Sequence, residues 1–142
     1  MVKLHVWETA VTEVLLALSD LPVVPALLIR ISREWRGGLS QEQLYERVRR
    51  YWRIRPERRA TPPQLAYGVG DGVIRAVFAI TGWETYDMAV EAKRSDRLDL
   101  SPHGRGERIG FVGEWCDDLA YLVGARLVDP PKGQNPVTYL HC

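Results

Sequence analysis

The residues with the most evident chemistry stand together in Tyr51-Trp52-Arg53-Ile54-Arg55-Pro56-Glu57-Arg58-Arg59. Arginines interleaved with aromatic rings supply charge-assisted contacts to phosphate and flat surfaces on which bases stack. Trp52 is the stacking candidate, with Arg53, Arg55, Arg58 and Arg59 as phosphate contacts. The same residues also fit a structural role, in which Tyr51 and Trp52 are core and the arginines solubilise an outer helix face, paired with Glu46 and Glu57. Tyr67 and Arg75 extend the candidate set. Asn135 and Tyr139 add hydrogen-bonding groups for a base edge, although Gln134-Asn135-Pro136 is equally ordinary turn chemistry.

Catalytic patterns are missing from the sequence. It has no nucleophile elbow, no His-x-x-x-His pair, no Cys-x-x-Cys and no phosphate loop ending in Lys-Ser or Lys-Thr. Gly68-x-Gly70-x-Gly72 is flanked by strand-like runs on both sides, whereas a dinucleotide loop needs a helix N-terminus after it, so a hairpin turn is the better reading. His103, His141 and Cys142 are of metal-ligating type but share no ligand spacing. Asp117-Asp118 suits a helix N-terminus better than a pair of catalytic carboxylates. A site assembled from Tyr67, Asp71, Arg75 and a distant acid is the weaker, enzymatic alternative. No cofactor or metal is expected.

At 142 residues, 46% hydrophobic and 26% charged, the chain fits one domain with a core of its own. The longest apolar run, around Val11 to Leu18, is too short to span a bilayer, and Met1 to Val6 lacks the order of a secretory signal, so a cytoplasmic protein without membrane contact is expected. Cys116 and Cys142 are expected as reduced thiols. Charge is unevenly spread. From Arg30 to Arg59 ten arginines face four acids, a surplus of six, while the remainder of a chain of net charge +1 is acidic by five. Such a distribution creates a local positive surface without making the chain a polycation.

These residues need elements to position them. Val11, Val14, Leu15 and Leu18 have helical spacing before Pro22, which predicts a short N-terminal helix over 9–19. Ala26-Leu27-Leu28-Ile29-Arg30-Ile31 reads as a buried strand. Ser40 with Gln43 forms a capping box that starts a helix ending near Trp52, with Leu44, Val48 and Tyr51 on one face and Glu46 and Arg50 paired across a turn. The proline-rich 55–63 is an irregular connection. Leu65–Val69 and Val73–Ile80 form a hairpin about Asp71-Gly72, with Ile74, Ala76, Phe78 and Ile80 on one face and Arg75 on the other. Residues 88–100 carry a weak helical pattern and 101–106 a loop composition. Ile109–Gly113 is a third strand, a second helix follows Asp117-Asp118 with Leu119, Leu122, Val123 and Leu127 on its inner face, and Val137–Leu140 closes the chain as a short strand. Trp83 and Trp115 read as packing residues. The fold class is α+β, a mostly antiparallel sheet with flanking helices.

The order of these motifs resembles a group of small bacterial proteins found beside or fused to GIY-YIG-type nucleases. The resemblance rests on Leu28-Ile29-Arg30-Ile31, Leu44-Tyr45-Glu46, Tyr51-Trp52-Arg53-Ile54, Arg59 before Tyr67, Gly72 to Ile80 with Trp83, Phe111-Val112-Gly113, and Gln134 to Leu140. The strand phrase is also similar to PUA-like folds such as EVE and ASCH domains, small barrels that bind RNA or modified DNA bases. That similarity implies a single domain over 1–142, with 1–22 as an N-terminal helical extension and 26–142 as a PUA-like core, either a small β-barrel or a curved sheet. It also implies a cleft between barrel and capped helix lined by Trp52, Arg53 and Arg59. The function so implied is nucleic-acid binding, to DNA or RNA, reading a modified or extruded base without catalysis. The alternative is a protein-interaction subunit that docks an acidic partner such as a nuclease or toxin.

Overall fold

The computed structural model describes residues 14–31, 35, 37–50, 52–87, 90–91 and 107–142. Among the described residues seven strands form one sheet: β1 (Leu15–Leu16), β2 (Ala26–Arg30), β3 (Leu65–Gly70), β4 (Val73–Asp87), β5 (Glu107–Trp115), β6 (Arg126–Leu127) and β7 (Val137–Leu140), accompanied by an α-helix, α1 (Gln41–Arg49). The sheet runs β1-β6-β4-β3-β2-β7, and β5 pairs with β4 off that path. It is therefore α+β and open; the ends of the path do not meet, which corrects the barrel expectation. Mostly antiparallel is true only in part. β2–β7, β3–β4, β4–β5 and β4–β6 are antiparallel, whereas β2–β3 and β1–β6 are parallel.

The parallel β2–β3 pair explains the placement of α1. Parallel neighbours cannot be joined by a tight turn, so the chain crosses over one face of the sheet before β3 begins. The crossover contains Gly37-Gly38, both at positive φ, then α1, then the arginine-rich segment. α1 starts where the sequence predicts: the Ser40 side chain accepts from the Gln43 amide at 3.1 Å, and the Gln43 side chain accepts from the Ser40 amide at 2.9 Å. It ends at Arg49, short of Trp52. Trp52 instead exchanges two backbone hydrogen bonds of 2.9 Å with Ile109 of β5. Tyr51 lies outside the described residues.

Both faces of the sheet are buried. On the α1 side Leu27, Ile29, Ala66, Ala76, Phe78 and Phe111 pack with Leu44, Val48 and Ile54, walled by Trp35, Trp52, Trp83, Trp115 and Tyr139. On the other side Ala26, Leu28, Tyr67, Val69, Ile74 and Val77 pack with Leu21, Leu122 and Leu127. Ile74 thus leaves the face shared by Ala76 and Phe78. The ladder shifts from Gly68↔Ala76 to Val69↔Ile74, so Arg75 is an extra residue that inverts the alternation. Asp71 (φ 53) and Gly72 (φ 76) make the expected hairpin turn.

Among the described residues neither predicted terminal α-helix is formed. Residues 14–19 contribute β1 and the start of a 3-10 turn, Leu18–Asp20; the amide of Arg126 donates to Val14 O and that of Val128 to Leu16 O, and these ladder bonds prevail over helical spacing. Residues 9–13 lie outside the described residues. After Asp117 the chain forms a 3-10 helix, Asp117–Leu122. With three residues per turn only Leu119 and Leu122 share the inner face, Gly124 (φ 98) ends the element, and Leu127 reaches the core from β6 instead. Of 88–100 only 90 and 91 are described, and they are helical. The 101–106 loop and His103 lie outside, as do Arg33 and Arg36.

α1 sits close to the sheet because glycine lies beneath it. A Cβ at Gly110 would stand 2.7 Å from both the Arg49 carbonyl oxygen and the Arg50 Cβ; at Gly68 it would stand 2.6 Å from Val48 Cγ2. Gly110→Ala meets backbone that has little room to move and is expected to lower the unfolding free energy by about 1–3 kcal/mol. Ser40→Ala, which removes only the cap, is expected to cost about 1 kcal/mol. Urea titrations check both, and a neutral Gly110→Ala would show that the approach is not tight.

Candidate nucleic-acid interface

The crossover brings the arginine segment to the end of the sheet where β2 and β3 begin and β7 finishes. Gln64 donates its amide to Pro25 O at 2.7 Å, and Tyr139 of β7 lies in register with Leu27 of β2. At this end Arg53, Arg55 and Arg59 are exposed. Pro56 is buried, and a 3-10 turn, Pro56–Arg58, reverses the chain, closed by the Arg59 amide on Pro56 O at 3.1 Å. Arg58 occupies the last position of that turn. The Arg55 amide donates to the Tyr139 hydroxyl at 3.3 Å, and the Arg59 guanidinium carbon lies 3.4 Å from the Tyr139 ring centroid. Tyr139 is thus fixed at both its hydroxyl and one ring face.

Among the described residues no carboxylate pairs with Arg53, Arg55 or Arg59. Glu46 is taken by the helix's own bases, Arg49 at 3.1 Å and Arg50 at 3.1 Å, and Arg49 also reaches Glu84 of β4 at 3.3 Å. Burial disfavours the Arg49 charge, but the hydrogen bond and charge of Glu46 outweigh it and hold the guanidinium above its ordinary pKa. The Tyr86 hydroxyl donates to Glu84, which keeps that carboxyl below the usual range. Among the described residues Arg53, Arg55 and Arg59 form no ion pair, and neither Glu46 nor Glu57 bridges to them. Sequence reasoning missed Arg108 on β5, which is only 8% exposed. Burial, and then the nearby Arg53 charge, lower its pKa. Its position next to an insert without periodicity gave no signal in sequence.

The remaining candidates sit elsewhere. Trp52 is half-buried against the core, its indole N–H donated to Val48 O at 2.7 Å, and belongs to the wall between α1 and β5. Arg75 is half-buried near the hairpin turn, with Nε donating to Gly70 O at 3.1 Å and its guanidinium 4.2 Å from the Trp35 ring centroid. Asn135 shares that far end: its Oδ1 accepts from the Val137 amide at 3.0 Å, and its carbonyl accepts from Arg30, which also donates to Gly133 O at 2.7 Å. These bonds are turn chemistry. Tyr67 is 1% exposed on the opposite face of the sheet. It therefore cannot touch a ligand at the arginine surface, which corrects its inclusion in the set.

Cys116 and Cys142 are both free thiols. Burial raises the Cys142 pKa against the opposing charge of Arg59. Among the described residues no group of His, Cys, Asp and Glu is arranged to hold a metal ion, and no helix is long and apolar enough to cross a membrane.

Tyr67 provides a pH test of its assignment to the core. Its hydroxyl is buried and finds no hydrogen-bond partner among the described residues, and desolvation pushes its pKa from 10.0 up to about 12. The folded state holds this proton more tightly than the unfolded state does, so the resulting stability is complete below pH 10 and is lost as pH rises from 10 toward 12. Tyr67→Phe removes the unsatisfied hydroxyl. It is expected to match or exceed wild-type stability at pH 7 by up to about 1 kcal/mol and to flatten the alkaline loss in urea titrations at several pH values. A large loss at pH 7 would show that the hydroxyl is hydrogen-bonded.

Comparison with known proteins finds no family model, no curated protein and no solved structure that matches this chain.

Proposed function

We propose that this chain is a cytoplasmic nucleic-acid-binding module that works by binding and not by catalysis. The observation that carries the reading is the exposed set Arg53, Arg55 and Arg59, without carboxylate partners among the described residues, at one end of a rigid sheet. Exposed arginines are usually offset by nearby acids. A cluster left without them is electrostatically complementary to a polyanion, and its fork geometry suits phosphate oxygens. Kinship with PUA-like modules belongs to the same proposal, with the open sheet replacing a closed barrel and the arginine end of the crossover replacing the cleft.

The test is fluorescence anisotropy with labelled single-stranded DNA, RNA and duplex DNA across a salt series. Three phosphate contacts are expected to give a log–log salt slope of about −2 to −3. The Arg53→Ala/Arg55→Ala variant is expected to bind more weakly, with a slope shallower by about 1 to 2 and a melting temperature within about 2 °C of wild type. Absence of binding to every nucleic acid at low salt overturns the reading and makes an acidic protein surface, such as a nuclease subunit, the ligand class to pursue.

A further inference from the structure

Among the described residues four arginines lie over aromatic rings; Arg49 on Tyr45 and Arg50 on Tyr86 stand 5.3 and 5.9 Å from the ring centroid, and the two closer ones, Arg75 and Arg59, differ in what remains available. Arg75, on Trp35, is half-buried and its Nε is committed to Gly70 O. Arg59, on Tyr139, is exposed, and among the described residues its guanidinium makes neither a hydrogen bond nor an ion pair. A separation of 3.4 Å between guanidinium carbon and ring centroid places the planar cation flat on the ring. One face of Arg59 is therefore covered by Tyr139, and because the residue as a whole is exposed the opposite, outward face is the side from which a ligand would approach. The ring is itself held by the Arg55 amide at its hydroxyl and by the register of β7 on β2. The outward face is consequently a flat, delocalised cation whose orientation is set before any ligand arrives.

We propose that Arg59, supported by Tyr139, is the platform on which a nucleobase stacks, and that the interface takes an unpaired base. This inference rests on the nucleic-acid reading above. It replaces Trp52 as the stacking residue, because the Trp52 ring is packed in the core wall with its N–H engaged. A base inside a duplex already has both faces stacked, whereas an unpaired base can add a third layer to Tyr139 and Arg59, with flanking phosphates toward Arg53 and Arg55. Planarity is essential to this role, and the compact ammonium of lysine lacks it.

The experiment compares anisotropy binding of a single strand of about ten nucleotides with an abasic strand of equal length and charge, using wild type and Arg59→Lys. Wild type is expected to prefer the base-bearing strand by about tenfold. Arg59→Lys keeps the charge and loses the plane, so it is expected to weaken binding of the base-bearing strand more than that of the abasic strand, to lose most of the preference, and to melt like wild type. Equal wild-type affinity for the two strands, or a preference left intact in Arg59→Lys, overturns the platform while salt-sensitive binding leaves the nucleic-acid reading standing. No binding of either strand at low salt overturns both.

Discussion

The parallel pairing of β2 with β3 is the constraint on which the rest of the molecule depends. It requires the chain to leave the sheet after Arg30, travel back over one face and re-enter at Leu65. Everything charged and aromatic between those points is carried on that return path. Because the path must end where β2 and β3 begin, the arginines after α1 are delivered beside Tyr139, whose own place is set by β7 pairing with the other edge of β2. The juxtaposition of residues 80 positions apart thus follows from strand order, not from local sequence.

Burial on both faces settles which candidate side chains are free to act. Helix α1 closes one face, and its close seating on glycine leaves the residues next to it, Trp52 among them, as part of the seal. The 3-10 segments and β1 close the other face, where Tyr67 is enclosed. In a thin domain with two cores, an aromatic residue is far more often needed inside than available outside. Tyr139 is half-buried because β7 is an edge strand: its inner side packs on the core while its ring face still meets a side chain from the crossover.

Much of this was legible in the sequence where the signal was local. The capping box at Ser40 and Gln43, the Asp71-Gly72 turn and the strand-like run before Arg30 each carry their physics within a few residues. Elements decided by distant partners were not legible. Val14, Leu15 and Leu18 have helical spacing, yet Arg126 and Val128 draw that stretch into the sheet. The placement of Ile74 was obscured for a different reason: with apolar residues facing both ways, alternation in β4 does not register the extra residue at Arg75. For the candidate site, the arginine enrichment over 53–59 was legible, but it could not show that the ring beside Arg59 would be Tyr139 rather than the adjacent Trp52.

The division of labour among the arginines follows from where their acids lie. Arg49 and Arg50 share Glu46 one helical turn away, and Arg49 adds Glu84 and Tyr86 from β4, so these guanidiniums fasten α1 to the long strand. Beyond Arg50 the helix has ended, and no i,i+4 geometry exists to bring a carboxylate to Arg53, Arg55 or Arg59. What holds Arg59 in place is an aromatic ring, which orders the cation without cancelling its charge. A carboxylate would fix the side chain equally well but would occupy the donor fork. Support from Tyr139 leaves the charge of Arg59 without an ion pair among the described residues, and it is on this combination of an ordered side chain and an uncancelled charge that the proposed anion-binding role rests.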